Sequence, residues 1–314
     1  MDKKLNEAVA ALRPQMVAAL QRLVHRRSVE ADPLPGKPFG EEVDACFAEA
    51  LALCHELGFE TTDMDRYIGW CEIGTGDEMV AVLGHLDVVP EGEGWHHPPY
   101  AAEIEDGKLY GRAAAVSKSD FASFTFAVRA LEAVARPAKG NVELHFTYDE
   151  EFGGLLGPGW LLEQGLTKPD LMIAAGFSYE VVTAHNGCLQ MEVTVHGKMA
   201  HAAVPHTGVD ALQGAVHILN ALYAQNDEYK KVTSKVEGIK HPYLNVGRIE
   251  GGTNTNVVPG KVMFKLDRRM IPEENPVEVE ATIRRVIEQA AGERAGISVE
   301  IKRLLLANAM TPLA

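Results

Sequence analysis

The sequence has 314 residues, of which 46% are hydrophobic and 24% charged, and its formal net charge is −14 at pH 7. The length and composition favour a globular protein of two domains. The acidic balance argues against nucleic-acid binding and against docking on an acidic membrane surface. We find no apolar run of the roughly 18–20 residues that span a bilayer. The charged N-terminus does not resemble a signal peptide, and the four cysteines are dispersed. We therefore expect a cytoplasmic protein with reduced thiols.

The first part of the chain alternates predicted helices with predicted strands. Apolar residues at helical spacing predict the helices, and Pro14 is a position where the first of them could kink or restart. Short apolar runs predict the strands, and we expect the strands 67–73, 79–83 and 171–175 to be buried. This alternation predicts an α/β domain over residues 1–184. The predicted helices are 5–24, 41–57 and 121–134, and the predicted strands are 67–73, 79–83, 101–105, 108–110, 142–148 and 171–175.

The order of elements changes after about residue 184. It becomes strand, helix, strand, strand, helix, strand, which is the βαββαβ order of a small ferredoxin-like domain. We place this domain at residues 185–300 and interpret residues 301–314 as the start of a return to the first domain. The predicted elements are strand 189–195, helix 209–225, strands 243–250 and 257–266, helix 276–290 and strand 297–303.

A His-x-Asp motif lies at the end of the predicted strand 79–83. Residues two apart on a strand face the same side, so His85 and Asp87 can meet. A carboxylate beside an imidazole fixes its tautomer and raises its basicity, as a metal-binding histidine requires. A histidine hydrogen-bonded at a strand end is the alternative, and the motif alone does not exclude it.

Three consecutive acids, Asp149, Glu150 and Glu151, follow the predicted strand 142–148 and precede two glycines. Crowded carboxylates are unfavourable unless cations or solvent compensate their charge. A metal ligand beside a general base is one explanation, and a solvated acidic turn is the other.

Two further polar stretches lie in the second predicted domain. His201 falls in the loop 197–205, between a strand and a helix, where a side chain can reach a ligand. Asn256 belongs to the Gly- and Asn-rich stretch 251–259, and Arg269 follows it in an Asp-Arg-Arg run. An arginine at this position is suited to a bidentate grip on a carboxylate. Ordinary loop polarity is the alternative for both stretches.

In this order and spacing, the four stretches resemble the co-catalytic zinc aminoacylase, glutamate carboxypeptidase and acetylornithine deacetylase family of metallopeptidases. The stretch 84–112 looks most like the dipeptidase branch of that family. The resemblance implies a zinc-peptidase-type α/β domain with an inserted ferredoxin-like lid domain that often dimerises. It also implies zinc or another divalent metal as cofactor, a small peptide or N-acyl amino acid as substrate, and a homodimer.

The same resemblance implies roles for individual residues. In the first domain, His85 matches a ligand of one zinc, Asp87 the acid that orients it, Glu150 the general base and Glu151 a ligand of the other zinc. In the second domain, His201 matches the histidine that reaches the substrate carbonyl. Asn256 and Arg269 match positions that hold the substrate, with Arg269 on its carboxylate.

The chain also departs from the family pattern. Val116 stands where the family has an aspartate that bridges both metals. Asp120, four residues on, is a candidate replacement ligand, or else an acid at a helix N-terminus. The family has an acidic metal ligand after the strand near residue 173, but residues 174–178 contain no acid. We also find no match to the family's last histidine ligand in the sequence up to Ala314. His96 and His97 are two residues that could be recruited, although we interpret them as surface residues. We therefore expect weak zinc binding.

These observations leave two hypotheses for the function. The first is a metal-dependent hydrolase of an amide or peptide bond, either a dipeptidase or a deacylase. The second is a non-catalytic relative that retains the fold for ligand binding or dimerisation. A Cys or Ser nucleophile has little support, because Cys188 opens a predicted strand and suits a packing role.

Overall fold

The computed structural model describes residues 2–134, 141–176 and 180–311. The chain divides into two compact units, Met1–Tyr179 and Glu180–Ala314. Both are mixed α/β, as the sequence predicts. Of the helices in the described ranges, none combines the length and the apolar character that a membrane span requires.

The first unit is built on a five-stranded sheet in the order β1-β2-β6-β3-β7. Strand β3 lies parallel to both β6 and β7, whereas β2 runs antiparallel to β6. The parallel strands place their carboxyl ends at one edge of the sheet, where ligand sites form in α/β proteins. The strands are β1 (Glu60–Met64), β2 (Ile68–Gly74), β3 (Met79–His85), the hairpin β4 (Glu103–Glu105) and β5 (Lys108–Tyr110), β6 (Asn141–Thr147) and β7 (Leu171–Ala174).

Three long helices and the short α4 (Trp160–Glu163) accompany this sheet: α1 (Asp2–Val24), α2 (Glu41–Glu56) and α3 (Lys118–Val134). Their apolar faces meet the sheet in one core cluster that includes Leu23, Phe47, Phe121 and Phe146. Removing such side chains from water is the main favourable contribution to folding. The helix α1 continues through Pro14 without a restart.

Two strands of the first unit differ from the sequence prediction. The strand 171–175 was expected to be buried, and this is wrong, because all four residues of β7 are exposed at the edge of the sheet. Strand β1 was not predicted, since Glu60 and Asp63 interrupt any apolar alternation. Both errors concern edge strands, where one side of the strand has no neighbour to bury it.

The second unit is an antiparallel four-stranded sheet in the order β10-β12-β8-β13. With two helices, it forms the predicted βαββαβ arrangement of a ferredoxin-like domain. Its elements are β8 (Gly187–His196), β9 (Ala200–His201), α5 (Ala211–Tyr229), β10 (Tyr243–Gly251), β11 (Val257–Val258), β12 (Lys261–Met270), α6 (Pro276–Gly292) and β13 (Ser298–Ala307).

Some boundaries in this unit differ from the prediction for local reasons. Asp210 caps α5 by accepting hydrogen bonds from the backbone N–H groups of Leu212 and Gln213, so the helix begins at 211 rather than 209. The predicted strand 257–266 is divided into β11 and β12, because Pro259 has no N–H to donate to a ladder. Strand β13 continues to Ala307 inside the second unit, past residue 301, where a return to the first domain was expected.

Candidate functional site

Three potential metal ligands converge at the carboxyl ends of β3 and β6 in the first unit. His85 is the last residue of β3, and Glu150 and Glu151 form the 3₁₀ turn that follows β6. One ligand atom from each of the three residues lies within 4.8 Å of those of the other two. The Nε2 atom of His85 is 3.7 Å from Oε2 of Glu150. Two donors bound to the same tetrahedral zinc ion are about 3.3 Å apart, so this geometry is close to that of a metal site.

Asp87 connects the histidine to the acidic turn. Its side chain is 1% exposed, and its Oδ1 lies 3.3 Å from Nδ1 of His85. Its Oδ2 accepts a hydrogen bond of 2.9 Å from the backbone N–H of Glu151. The contact predicted between His85 and Asp87 is therefore observed. Because Nδ1 of His85 faces Asp87, Nε2 remains available for a metal.

The electrostatics of the site favour a cation. Burial lowers the pKa of His85, but the hydrogen bond to Asp87 and the nearby carboxylates outweigh that effect, so the pKa is raised. Burial and the adjacent charge of Glu150 raise the pKa of Glu151. A divalent ion would offset the repulsion between these carboxylates. His85 and Glu151 can ligate such an ion, and Glu150 lies beside them within reach of a metal-bound water. Across the described ranges, no second group of three such ligands is found.

The first acid of the run, Asp149, has a structural role that the sequence did not indicate. Its side chain is buried and accepts hydrogen bonds from Thr147 Oγ1 at 2.5 Å, from the N–H of Leu156 at 2.8 Å and from the N–H of Gly157 at 3.1 Å. These bonds fix the turn that carries Glu150 and Glu151. A side chain at 157 would crowd this acid, because a Cβ there would lie 2.7 Å from Asp149 Oδ1.

Asp120 lies at the start of α3. Its Oδ2 accepts a hydrogen bond of 2.8 Å from the N–H of Ser117, in the manner of a capping box. It is not part of the group formed by His85 and the two glutamates, so its role as a replacement ligand stays a prediction. Ser117 has a positive φ of 74°, and its hydroxyl donates to the carbonyl oxygen of His85 at 3.0 Å.

Two buried residues that sequence reasoning missed, Lys118 and Ser28, hydrogen-bond to backbone groups near the site. Lys118 is fully buried and donates from Nζ to the carbonyl oxygen of Arg26 at 2.5 Å. Ser28 donates to the carbonyl oxygen of Leu86 and accepts from the N–H of Val88. A signal for Lys118 was available, because the family that the sequence resembles has the pattern Gly-Ala-x-Asp-x-Lys-Gly after Gly-Arg, and Lys118 takes its lysine position.

His97 is occupied by other contacts. Its Nδ1 lies 2.7 Å from Oε2 of Glu103, and its ring stacks on Tyr110 with centroids 4.0 Å apart. Neither it nor His96 belongs to the group around His85.

The three residues predicted in the second unit fall at two places. His201 lies on β9 opposite Val257, and the carbonyl oxygen of Asn256 accepts a hydrogen bond of 2.9 Å from Ala202, so the His201 and Asn256 loops meet. The His201 side chain is exposed. Arg269 lies elsewhere, on β12, where its guanidinium pairs with Asp267 at 2.7 Å.

Comparisons with known proteins agree with this architecture. Residues 183–295 match a family described as the peptidase dimerisation domain. The chain is 34% identical over 233 residues to a succinyl-diaminopimelate desuccinylase of Gluconobacter oxydans, covering 68% of this chain and 59% of the relative. It is 32% identical over 165 residues to the putative dipeptidase YtjP of Bacillus subtilis, covering 51% of this chain and 34% of the relative.

Among solved structures, human carnosine dipeptidase 1 superposes with a TM-score of 0.80 at 19% identity, covering 100% of this chain and 82% of the other. At this identity the similarity establishes the fold. The chain spans 59% and 34% of the lengths of the two curated relatives. The predicted resemblance to the M20 metallopeptidase family, which comprises the zinc aminoacylases and their relatives, is thereby confirmed, and residues 183–295 correspond to its dimerisation domain.

Proposed function

We propose that this protein hydrolyses an amide or peptide bond in a small carboxylate-bearing substrate, either a dipeptide or an N-acyl amino acid, with the help of a divalent metal. The observation that carries the proposal is the convergence of His85, Glu150 and Glu151 at the ends of two parallel strands, with Asp87 behind them. The names of the relatives, a desuccinylase and dipeptidases, support the same class of reaction.

The residues of the first unit have separate proposed roles in the activation of water. A bound divalent ion, zinc by resemblance, supplies charge that acidifies water and polarises a carbonyl group. His85 and Glu151 are the proposed ligands, and Asp87 holds both in place. Glu150 is the most exposed of the group, with 56% of its side chain accessible. It can therefore accept a proton from water and return it to the leaving amine.

Residues of the second unit have proposed roles in substrate binding and charge stabilisation. His201 would stabilise the negative charge that develops on the substrate carbonyl oxygen. Asn256 and Arg269 would hold the substrate, with Arg269 on its carboxylate. The match to a dimerisation domain supports a homodimer. The cytoplasmic location stays a prediction.

The test is to measure hydrolysis of a panel of dipeptides and N-acyl amino acids by Glu150→Gln and Glu151→Gln. We expect Glu150→Gln to lower kcat by about 10²–10⁴-fold, because it removes general acid–base catalysis, and to keep its metal. Glu151→Gln should lose metal as well. Glu163→Gln, an exposed change of the same type on α4, is the control. Undiminished turnover in Glu150→Gln would contradict the mechanism.

The second candidate is a non-catalytic relative that uses the fold for ligand binding or dimerisation. Val116, at the position of the bridging acid, favours it, because a valine cannot bind a metal. A chain that folds, dimerises and hydrolyses no member of the panel at saturating zinc would support this candidate.

A further inference from the structure

The helix-free face of the second sheet carries a polar cluster around Arg269. Alternate residues of β8 and β12, such as Leu189 and Leu266, pack into the helix-covered core. The residues between them point to the opposite face. On that face, Asp267 is directly opposite Gln190, and Arg269 is opposite Cys188. Arg269 therefore lies on the open face, next to an acid two residues earlier on its own strand.

Asp267 binds one edge of the Arg269 guanidinium. Its Oδ1 accepts from Nε at 2.7 Å, and its Oδ2 accepts from Nη2 at 3.2 Å. Asp267 is held in turn by Gln190, whose Nε2 donates to Oδ2 at 3.0 Å, and by the Cys188 thiol at 3.4 Å. Among the described residues, we find no hydrogen-bond acceptor for Nη1 of Arg269. The edge formed by Nη1 and Nη2 is therefore available to a ligand.

We infer that Asp267, tethered by Gln190, is a positioning residue that holds Arg269 in the orientation needed to bind the substrate carboxylate. The inference rests on the proposed function, in which Arg269 takes that carboxylate. A free arginine side chain loses rotamer freedom when it binds a ligand, and an arginine already fixed by Asp267 loses less. The remaining edge of the guanidinium offers two parallel N–H groups, which match a carboxylate.

The positioning itself can be tested without activity. In the wild-type chain, the Nε–H resonance of Arg269, assigned by its loss in Arg269→Lys, should be protected from exchange with water. Asp267→Asn keeps the size of the side chain but removes its charge, and we expect the resonance to be lost to exchange. Asp210→Asn is the matched control, because Asp210 caps α5 in the same unit through hydrogen bonds to Leu212 and Gln213. A resonance in Asp267→Asn as protected as in the control would overturn the inference.

The functional consequence is tested with the dipeptide Ala-Leu and its C-terminal amide. An arginine that binds the carboxylate equally in the ground state and the transition state affects KM rather than kcat. We expect Asp267→Asn to raise KM for Ala-Leu by about tenfold, with little change in kcat, because a misplaced binding group is costly. The KM for the amide should not change. If both KM values move together, Asp267 has only a structural role.

Two further outcomes separate this inference from the proposed function. If the wild type hydrolyses neither compound, nor any member of the substrate panel, the proposed function fails and the exchange measurement alone decides whether Asp267 positions Arg269. If Asp267→Asn does not fold, Gln190→Leu removes the tether and leaves the ion pair. A smaller change in the same direction is then expected, and no change would contradict the inference.

Discussion

The side-chain carboxyl group of Glu30 is partly buried, and this burial should make the stability of the first unit depend on pH. Its Oε2 atom is buried and has no hydrogen-bond partner among the described residues. Burial, followed by the charges of Asp87 and Asp149, raises its pKa from 4.5 to about 7. The folded chain therefore holds a proton on Glu30 at pH values where the unfolded chain has released it.

The sign and size of the effect follow from this difference. Between pH values of about 4.5 and 7, the folded state binds more protons than the unfolded state, so the free energy of unfolding falls as the pH rises. A difference of this size corresponds to about 3 kcal/mol for a fully buried group. Because Glu30 is only partly buried, solvent screening reduces the expected effect to about 1–2 kcal/mol.

Glu30→Gln removes the charge and should abolish this contribution. The free energy of unfolding is measured by urea titration at pH 5 and pH 8 for the wild type, for Glu30→Gln and for Glu60→Gln, an exposed control on β1. We expect Glu30→Gln to be more stable than the control by about 1–2 kcal/mol at pH 8, with a much smaller difference at pH 5. Equal differences at the two pH values would refute the argument, since the charge of Glu30 would then have no energetic consequence.

Three further predictions concern metal content, assembly and exposed apolar surface. Elemental analysis of the purified chain should give fewer than two zinc ions per chain, and Glu151→Gln should lower that value. Two tightly held ions per chain would contradict this prediction, which rests on the one ligand group found among the described residues. Light scattering should show a dimer, and Val216→Glu should convert it to a monomer, because Val216 and Tyr223 form an exposed apolar stripe on α5. The control Val277→Glu, at an exposed position on α6, should leave the dimer intact. A fluorescent apolar dye should bind the wild type, and Leu171→Ser should weaken that binding, because Leu171 is exposed on β7; equal dye binding by both proteins would count against this surface.

The sequence predicted most elements of the fold because their apolar spacing is set by burial of one face. Helix α3 and strand β6 follow that spacing closely. The sequence pattern could not show that β7 is exposed, because an apolar run looks the same at the edge of a sheet as at its centre. It also missed β1, whose polar residues Glu60 and Asp63 have no pattern that distinguishes a strand from a loop.

The sequence also predicted which residues meet at the candidate site where the contact is local. His85 and Asp87 are two residues apart on a strand, and Glu150 and Glu151 are adjacent, so their proximity follows from the chain itself. The bond from the N–H of Glu151 to Asp87 joins residues 64 positions apart, and no local pattern indicates it. The same holds for the burial of Lys118 against Arg26. The bond to Asp87 holds the backbone of Glu151 in place.

Val116 offers the most direct test of whether the family's metal-bridging position still exists in this chain. The side chain is 38% exposed, so an aspartate can be introduced there without burying a charge. The next residue, Ser117, donates a hydrogen bond to the carbonyl oxygen of His85, which places residue 116 in a segment attached to a proposed ligand. Val116→Asp should tighten zinc binding by at least about tenfold, because an added carboxylate raises the ligand charge of the site. Val116→Asn, of similar size but neutral, is the control, and affinities are measured by competition with a chelator. If the two variants bind zinc equally, the carboxylate at 116 does not reach the metal, and the family's bridging role cannot be transferred to this position.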